Sequence, residues 1–179
     1  MMEMKMITHE ISSVIEQVDE EQLEQAVKML SDWKNIFISG EGRSGLVGKC
    51  FGIRMTHLGY QVYITTDTIL PAMKEGDVLV ALTGSGTSEH TLVDIYKAKN
   101  KGCKIITFTS KPEGEAAKAS DCNVIIPATI RSDQGENRKS KQLLGSLFDQ
   151  SLHVVLDAIT IKISEQKNVS NEKATKAHW

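Results

Sequence analysis

Two short runs of small and hydroxylated residues stand out for the chemistry they permit. They are Gly40-Glu41-Gly42-Arg43-Ser44-Gly45 and Thr83-Gly84-Ser85-Gly86-Thr87-Ser88. Glycines let a backbone come close to an anion and hydroxyls donate hydrogen bonds to it. The free N–H groups of a following helix add further donors, backed by the positive end of the helix dipole. Thr83, Ser85 and Ser88 put three hydroxyls into six residues, a pattern that suits a phosphate. Gly40-x-Gly42-x-x-Gly45 also has the spacing of a dinucleotide fingerprint, with Asp67 22 residues further on as a candidate ribose acid. That reading leaves the second loop without a task, and the chain has no Gly-Lys-Ser/Thr of a P-loop.

A candidate base lies near the C-terminus. Leu144, Phe148, Leu152, Val155, Ile159 and Ile163 recur at spacings of three and four, which predicts a long amphipathic helix. Gln142, Ser146, Asp149 and His153 form a polar stripe along it. Leu143, Leu147 and Val154 share the segment, leaving little of its surface for water. Asp149 is therefore expected in a restricted environment, where a carboxylate can act in proton transfer.

Positioning these groups requires an α/β scaffold. Residues from Ile7 to Trp33 have a helical apolar period, which Asp19 can divide by capping a second helix. Short apolar runs follow at Ile36–Ile38, Val62–Ile64, Val78–Leu82, Ile105–Phe108 and Val124–Ile126. Continuous apolar strands are buried on both faces, so they imply a parallel sheet covered by helices, a flavodoxin-like doubly wound fold. The first loop follows the first strand and precedes a helix from about Leu46 to Leu58. The second follows the third strand and precedes a helix from about Glu89. With strand order 2-1-3-4-5 the two loops face one crevice at the topological switch point. Residues 1–179 read as a single domain, with 1–34 an N-terminal helical segment and 165–179 a polar tail.

The composition is that of a soluble globular protein, 40% hydrophobic and 25% charged, with a net charge of -2. No basic run points to nucleic acid, no apolar stretch is long enough for a membrane span, and the first ten residues lack a secretory leader's apolar region. A cytoplasmic protein is expected. Cys50, Cys103 and Cys122 have no metal-type or disulfide pattern, which suits buried thiols in a reducing compartment.

Several segments together resemble a known family. Gly42-Arg43-Ser44-Gly45-Leu46-Val47-Gly48-Lys49 and Arg54-Met55-Thr56-His57-Leu58-Gly59 are similar to the 6-phospho-3-hexuloisomerases of the SIS (sugar isomerase) superfamily. So are Gly76-Asp77, Gly84-Ser85-Gly86, Ala119-Ser120-Asp121 and Gly145-Ser146-Leu147-Phe148-Asp149-Gln150. The likeness runs from about residue 5 to 165. It implies the SIS-domain fold and interconversion of 3-hexulose 6-phosphate and fructose 6-phosphate through an enediol, in the ribulose monophosphate pathway. It implies a homo-oligomer, often a tetramer, with a sugar phosphate as partner and no cofactor or metal.

By that resemblance Gly42, Arg43, Ser44, Thr83, Ser85 and Ser88 are phosphate or sugar contacts, although Arg43 either pairs with phosphate or braces the loop. Asp149 stands at the family's glutamate base, and His57 matches the histidine of its Met-x-His-Leu-Gly segment, a donor to the enediolate. His9, His90, His153 and His178 belong to no motif and read as structural or solvated. The chain departs from the family at Thr87, where a glutamate is usual, and at Asp149, which is one methylene shorter.

Overall fold

The computed structural model describes residues 2–33 and 35–178. The chain begins with helices α1 (Met2–Ile15) and α2 (Glu20–Ser31). They are separated because Asp19 caps α2, its carboxylate accepting from the N–H groups of Glu21 (2.7 Å) and Gln22 (3.3 Å). Then follow β1 (Asn35–Gly40), α3 (Gly42–His57), β2 (Gln61–Ile64), β3 (Val78–Leu82), α4 (Glu89–Asn100), β4 (Lys104–Thr109), α5 (Glu115–Lys118) and β5 (Cys122–Ile125), with a helix between successive strands except from β2 to β3. A long connection leads to α6 (Ser146–Gln166), and α7 (Asn171–Lys176) lies within the polar tail.

The five strands are all parallel, in the order β2-β1-β3-β4-β5. Residues alternate between the faces: Ile36 and Ile38 join the core under α1, α2, α3 and α6, while Phe37, Leu79 and Ala81 join a smaller core under α4 and α5. β1 and β3 pair from Ile36↔Val78 to Gly40↔Leu82, so the loops that follow them emerge side by side. Among the described residues no helix is long and apolar enough to cross a membrane.

Helix α3 starts at Gly42, earlier than the expected Leu46, which turns most of the first glycine loop into a helical turn. The Gly45 N–H closes that turn on the Glu41 carbonyl at 3.3 Å. Gly45 permits it: a Cβ there would stand 2.5 Å from the Gly40 carbonyl oxygen. At the C-terminal helix, Gln142, Leu143 and Leu144 fall before α6 rather than on it, and Leu143 and Leu144 are 80% and 64% exposed. The period of Leu144 continues into α6 only by coincidence of spacing, since its own backbone has φ 53° and breaks the helix. Val154, on α6 itself, also faces water, whereas Leu147 is buried. All three cysteines are free thiols. Cys103 and Cys122 are buried as expected, but Cys50 lies exposed on the outer face of α3, alongside Leu46 and Ile53.

Replacing Gly45 by Ala forces backbone to move, because the clashing atom is a main-chain carbonyl. We expect destabilisation of about 1–3 kcal/mol and a Tm lowered by several degrees in a thermal melt. An unchanged Tm would show that the strand-to-helix junction tolerates a wider separation.

Candidate functional site

The crevice at the ends of β1 and β3 is built from three directions. The first turn of α3 contributes Arg43 and Ser44, the β3–α4 loop contributes its hydroxyls, and the first turn of α6 contributes Ser146 and Asp149. Asp149 is 6% exposed. Its Oδ1 accepts from the Ser44 hydroxyl at 2.7 Å, and its Oδ2 lies 3.5 Å from Arg43 Nε. Arg43 also donates through a terminal nitrogen to Ser146 Oγ at 3.2 Å. Arg43 thus braces the junction between α3 and α6. Burial pushes the Asp149 carboxyl up from its ordinary range, outweighing the hydrogen bond from Ser44 and the Arg43 charge, which both pull it down.

The connection before α6 is anchored so that Asp149 arrives in place. Glu10, on α1, accepts from the Ser140 hydroxyl (2.6 Å), the Lys141 N–H (3.1 Å) and the Gln142 side chain (3.0 Å). Asp133 accepts from the Ile130 N–H at 2.9 Å and from Lys111 at 3.2 Å. Partial burial raises the pKa of each of these two acids, but the donors prevail and hold both below the usual carboxylate range. Gln142, expected on the polar stripe, instead serves this anchor.

The β3–α4 loop is folded by its own hydroxyls. Thr83 Oγ1 accepts from the Gly86 N–H at 3.1 Å and meets Ser88 Oγ at 2.9 Å. Gly86 has φ 70°, a left-handed conformation natural to glycine. Thr83 is 1% exposed and supports the loop from beneath. Ser85 Oγ accepts from both the N–H and the hydroxyl of Thr87, each at 3.2 Å. Since both contacts use Ser85 as acceptor, its own O–H is left to donate outward. Ser85 and Ser88 are half-buried, and Gly42, with φ 55°, opens the first turn of α3.

His57 is placed elsewhere. It closes the far end of α3, 13 residues beyond Ser44 and so about 20 Å away along the helix. Its ring stacks at a tilt on His178, centroid to centroid 5.2 Å. Burial, the His178 ring and Arg54 all lower its pKa. Asp149 and His57 therefore do not share a site within one chain. A histidine that the sequence offered no motif for, His90, stands beside the first turn of α3: its backbone N–H donates to Glu41 Oε1 at 3.1 Å. Only the fold, by pairing β1 with β3, reveals that proximity.

The raised pKa of Asp149 has a thermodynamic sign. A carboxylate held above its unfolded value costs stability where it is ionised, above the folded pKa. The cost vanishes below the unfolded value of about 4. Asp149→Asn is therefore expected to raise Tm at neutral pH, with the gain shrinking as the pH falls toward 4. Circular dichroism melts across this range test it; a less stable variant at neutral pH would mean that Ser44 and Arg43 outweigh burial.

Comparison with known proteins places this architecture. The chain is 33% identical over 175 residues to the 3-hexulose-6-phosphate isomerase of Mycobacterium gastri, covering 98% of this chain and 87% of that one. A Methanococcus jannaschii crystal structure, said to infer a molecular function of 3-hexulose-6-phosphate isomerase, superposes with a TM-score of 0.84 at 28% identity, over 100% of this chain and 98% of that one. The Vibrio vulnificus NanR protein complexed with ManNAc-6P shares the fold, at TM-score 0.75 and 15% identity, over 97% of this chain and 63% of NanR. The SIS domain family matches residues 29–154, which span the whole sheet and the Asp149 turn, and the chain belongs to that family.

Proposed function

We propose that this protein is a sugar-phosphate isomerase, and specifically a 6-phospho-3-hexuloisomerase that converts 3-hexulose 6-phosphate to fructose 6-phosphate. The observation that carries the reading is Asp149: a buried carboxylate with a raised pKa, held by Ser44 and Arg43 at the mouth of a crevice whose other wall is a hydroxyl-rich loop. The full-length likeness to isomerases of that name supports the choice of substrate.

The chemistry follows from the geometry. The phosphate docks on the β3–α4 loop, receiving the Ser85 hydroxyl, with Ser88 and Gly42 beside it, while the His90 N–H at the start of α4 is held by Glu41. Moving the ketone from C3 to C2 means taking a proton from C2 and returning one to C3 through a cis-enediol. A single carboxylate reaching both carbons serves both steps, and a raised pKa suits a group that must accept and then release a proton. The reaction calls for no cofactor or metal. A homo-oligomer, with a tetramer favoured, would cover the apolar side chains left exposed on α3 and α6, among them Leu46, Ile53, Val154 and Ile161. Three free thiols support a reducing, cytoplasmic setting.

The test is a coupled assay with 3-hexulose 6-phosphate, read as fructose 6-phosphate formed in the presence of EDTA. Turnover is expected, and Asp149→Asn should cut kcat by about two to four orders of magnitude while leaving fructose 6-phosphate binding nearly intact. Ser85→Ala should instead weaken that binding at least about tenfold, as loss of a hydrogen bond to a charged group does. Binding without turnover in the wild type would favour a sensor over an enzyme.

A further inference from the structure

Asp149 is reached through a long connection, residues 126–145, that leads from the end of β5 to the start of α6. Nothing in the helix itself fixes where that start lies. Its N-cap, Gly145, has no side chain to offer the first turn, yet the Gly145 carbonyl accepts the Asp149 N–H at 3.0 Å. The residues before Gly145 therefore decide where the carboxylate stands. Leu144, next to it, has φ 53°, a left-handed conformation that is costly for a bulky side chain. At 64% exposure it buries too little to offset that cost. Backbone strain of this kind persists only where the surroundings impose it.

The group that imposes it is Arg138. Its half-buried guanidinium donates to three main-chain carbonyls: through one terminal nitrogen to Ile130 at 3.4 Å, and through the other to Leu144 at 3.1 Å and to Gln142. These bonds join the two ends of the connection. At one end Ile130, 3% exposed, rests on the hydroxyl-rich loop: a Cβ on Gly84 would stand 3.0 Å from Ile130 Cγ2 and 3.1 Å from the Phe148 ring on α6. At the other, a Cβ on Gly145 would stand 3.8 Å from the Arg131 backbone nitrogen and 4.0 Å from Asp149 Oδ2. The connection thus runs from the loop to the carboxylate, and Arg138 ties it shut. Glu10 holds only the stretch from Ser140 to Gln142, and holds it to α1 rather than to the loop.

We infer that Arg138 is a positioning residue for the isomerase reaction, setting the distance between the loop that takes the phosphate and the carboxylate that moves the proton. The inference rests on the isomerase reading above. In the substrate the phosphate is carried on C6 while the proton moves between C2 and C3. Both ends of the sugar are engaged at once, so its chain dictates how far apart loop and carboxylate must stand. A misplacement of about 1 Å is enough to cost about 10²-fold in rate. Arginine suits the task, because its planar fork of N–H donors spans separate carbonyls, whereas a lysine ammonium gathers its donors at one point. Arg43 works differently: it meets Asp149 and Ser146 through their side chains and ties α6 to α3. Arg138 bonds to neither Asp149 nor Ser85 among the described residues and acts through the main chain that carries them.

The experiment is steady-state kinetics of Arg138→Met and Arg138→Lys on 3-hexulose 6-phosphate, with fructose 6-phosphate binding followed by calorimetry and a thermal melt of each variant. We expect kcat to fall about 10²-fold in Arg138→Met and less in Arg138→Lys, which keeps the charge and loses the fork. KM and fructose 6-phosphate affinity should change little, since the Ser85 loop is left intact. Lys139→Ala, which removes the adjacent exposed cation, should keep the wild-type kcat. An active wild type whose Arg138→Met form retains its kcat, or loses kcat and affinity in equal measure, overturns the inference alone. If Arg138→Met does not fold, Arg138→Lys decides: a lowered kcat at unchanged affinity upholds the inference, and a wild-type kcat overturns it. A wild type that turns over no sugar phosphate overturns the isomerase reading, and the inference with it.

Discussion

The site depends on how closely one helix can lie against one strand. A single residue, Glu41, separates β1 from α3, and Gly45 rests on the Gly40 carbonyl with no room for a Cβ. Gly48 and Gly52 continue that stripe at helical spacing. A Cβ on Gly48 would come within 2.8 Å of Leu82 Cδ1 and one on Gly52 within 3.1 Å of Val62 Cγ1. Three missing side chains therefore let α3 sink onto the sheet along most of its length. Because α3 sits low, α6 packs on its flank, and because α3 begins at the strand's end, its Arg43 and Ser44 meet the first turn of α6. Side-chain volume on one helical face thus determines where the carboxylate stands.

Buried acids do different work according to their company. Asp77, 2% exposed at the far end of the sheet, accepts from the Asn35 side chain at 2.8 Å and the Lys74 N–H at 3.0 Å, and fastens the turn into β3. Glu10 and Asp133 gather enough donors to stay readily ionised and act as anchors for the approach to α6. Asp149 has one hydroxyl and one offset guanidinium, too few to offset its burial, and its proton affinity rises. Depth of burial, set against the donors gathered around each carboxylate, separates the partly exposed anchors Glu10 and Asp133 from the enclosed Asp149.

Much of this was legible in the sequence because it rests on local pattern. Apolar runs located all five strands, Asp19 marked the break between α1 and α2, and the glycine-rich loops lie at neighbouring strand ends as the parallel order requires. What escaped depends on contacts between distant segments. The start of α3 was hidden because glycine usually signals a loop, whereas here it signals close approach. Asp149 is enclosed as expected, yet Arg43 and Ser44 enclose it, not Leu143 and Val154, which face water. His57 carries the family's motif, but a helix of 16 residues sets its two ends far apart, a separation invisible in a motif string. His90 carries no motif and is held by Glu41, 49 positions earlier in the chain.

The hydrogen bond between Ser44 and Asp149 joins residues 105 positions apart. All five strands and both glycine loops precede α6 in the chain, so during synthesis the sheet can pair before the helix bearing the carboxylate leaves the ribosome. Chains are made at about 5–20 residues per second and fold from the N-terminus, which leaves an interval in which the crevice has walls but lacks Asp149. The apolar groove on α3 that later receives α6 is open over the same seconds. Arrival of the last long helix then closes the core and completes the crevice in one event.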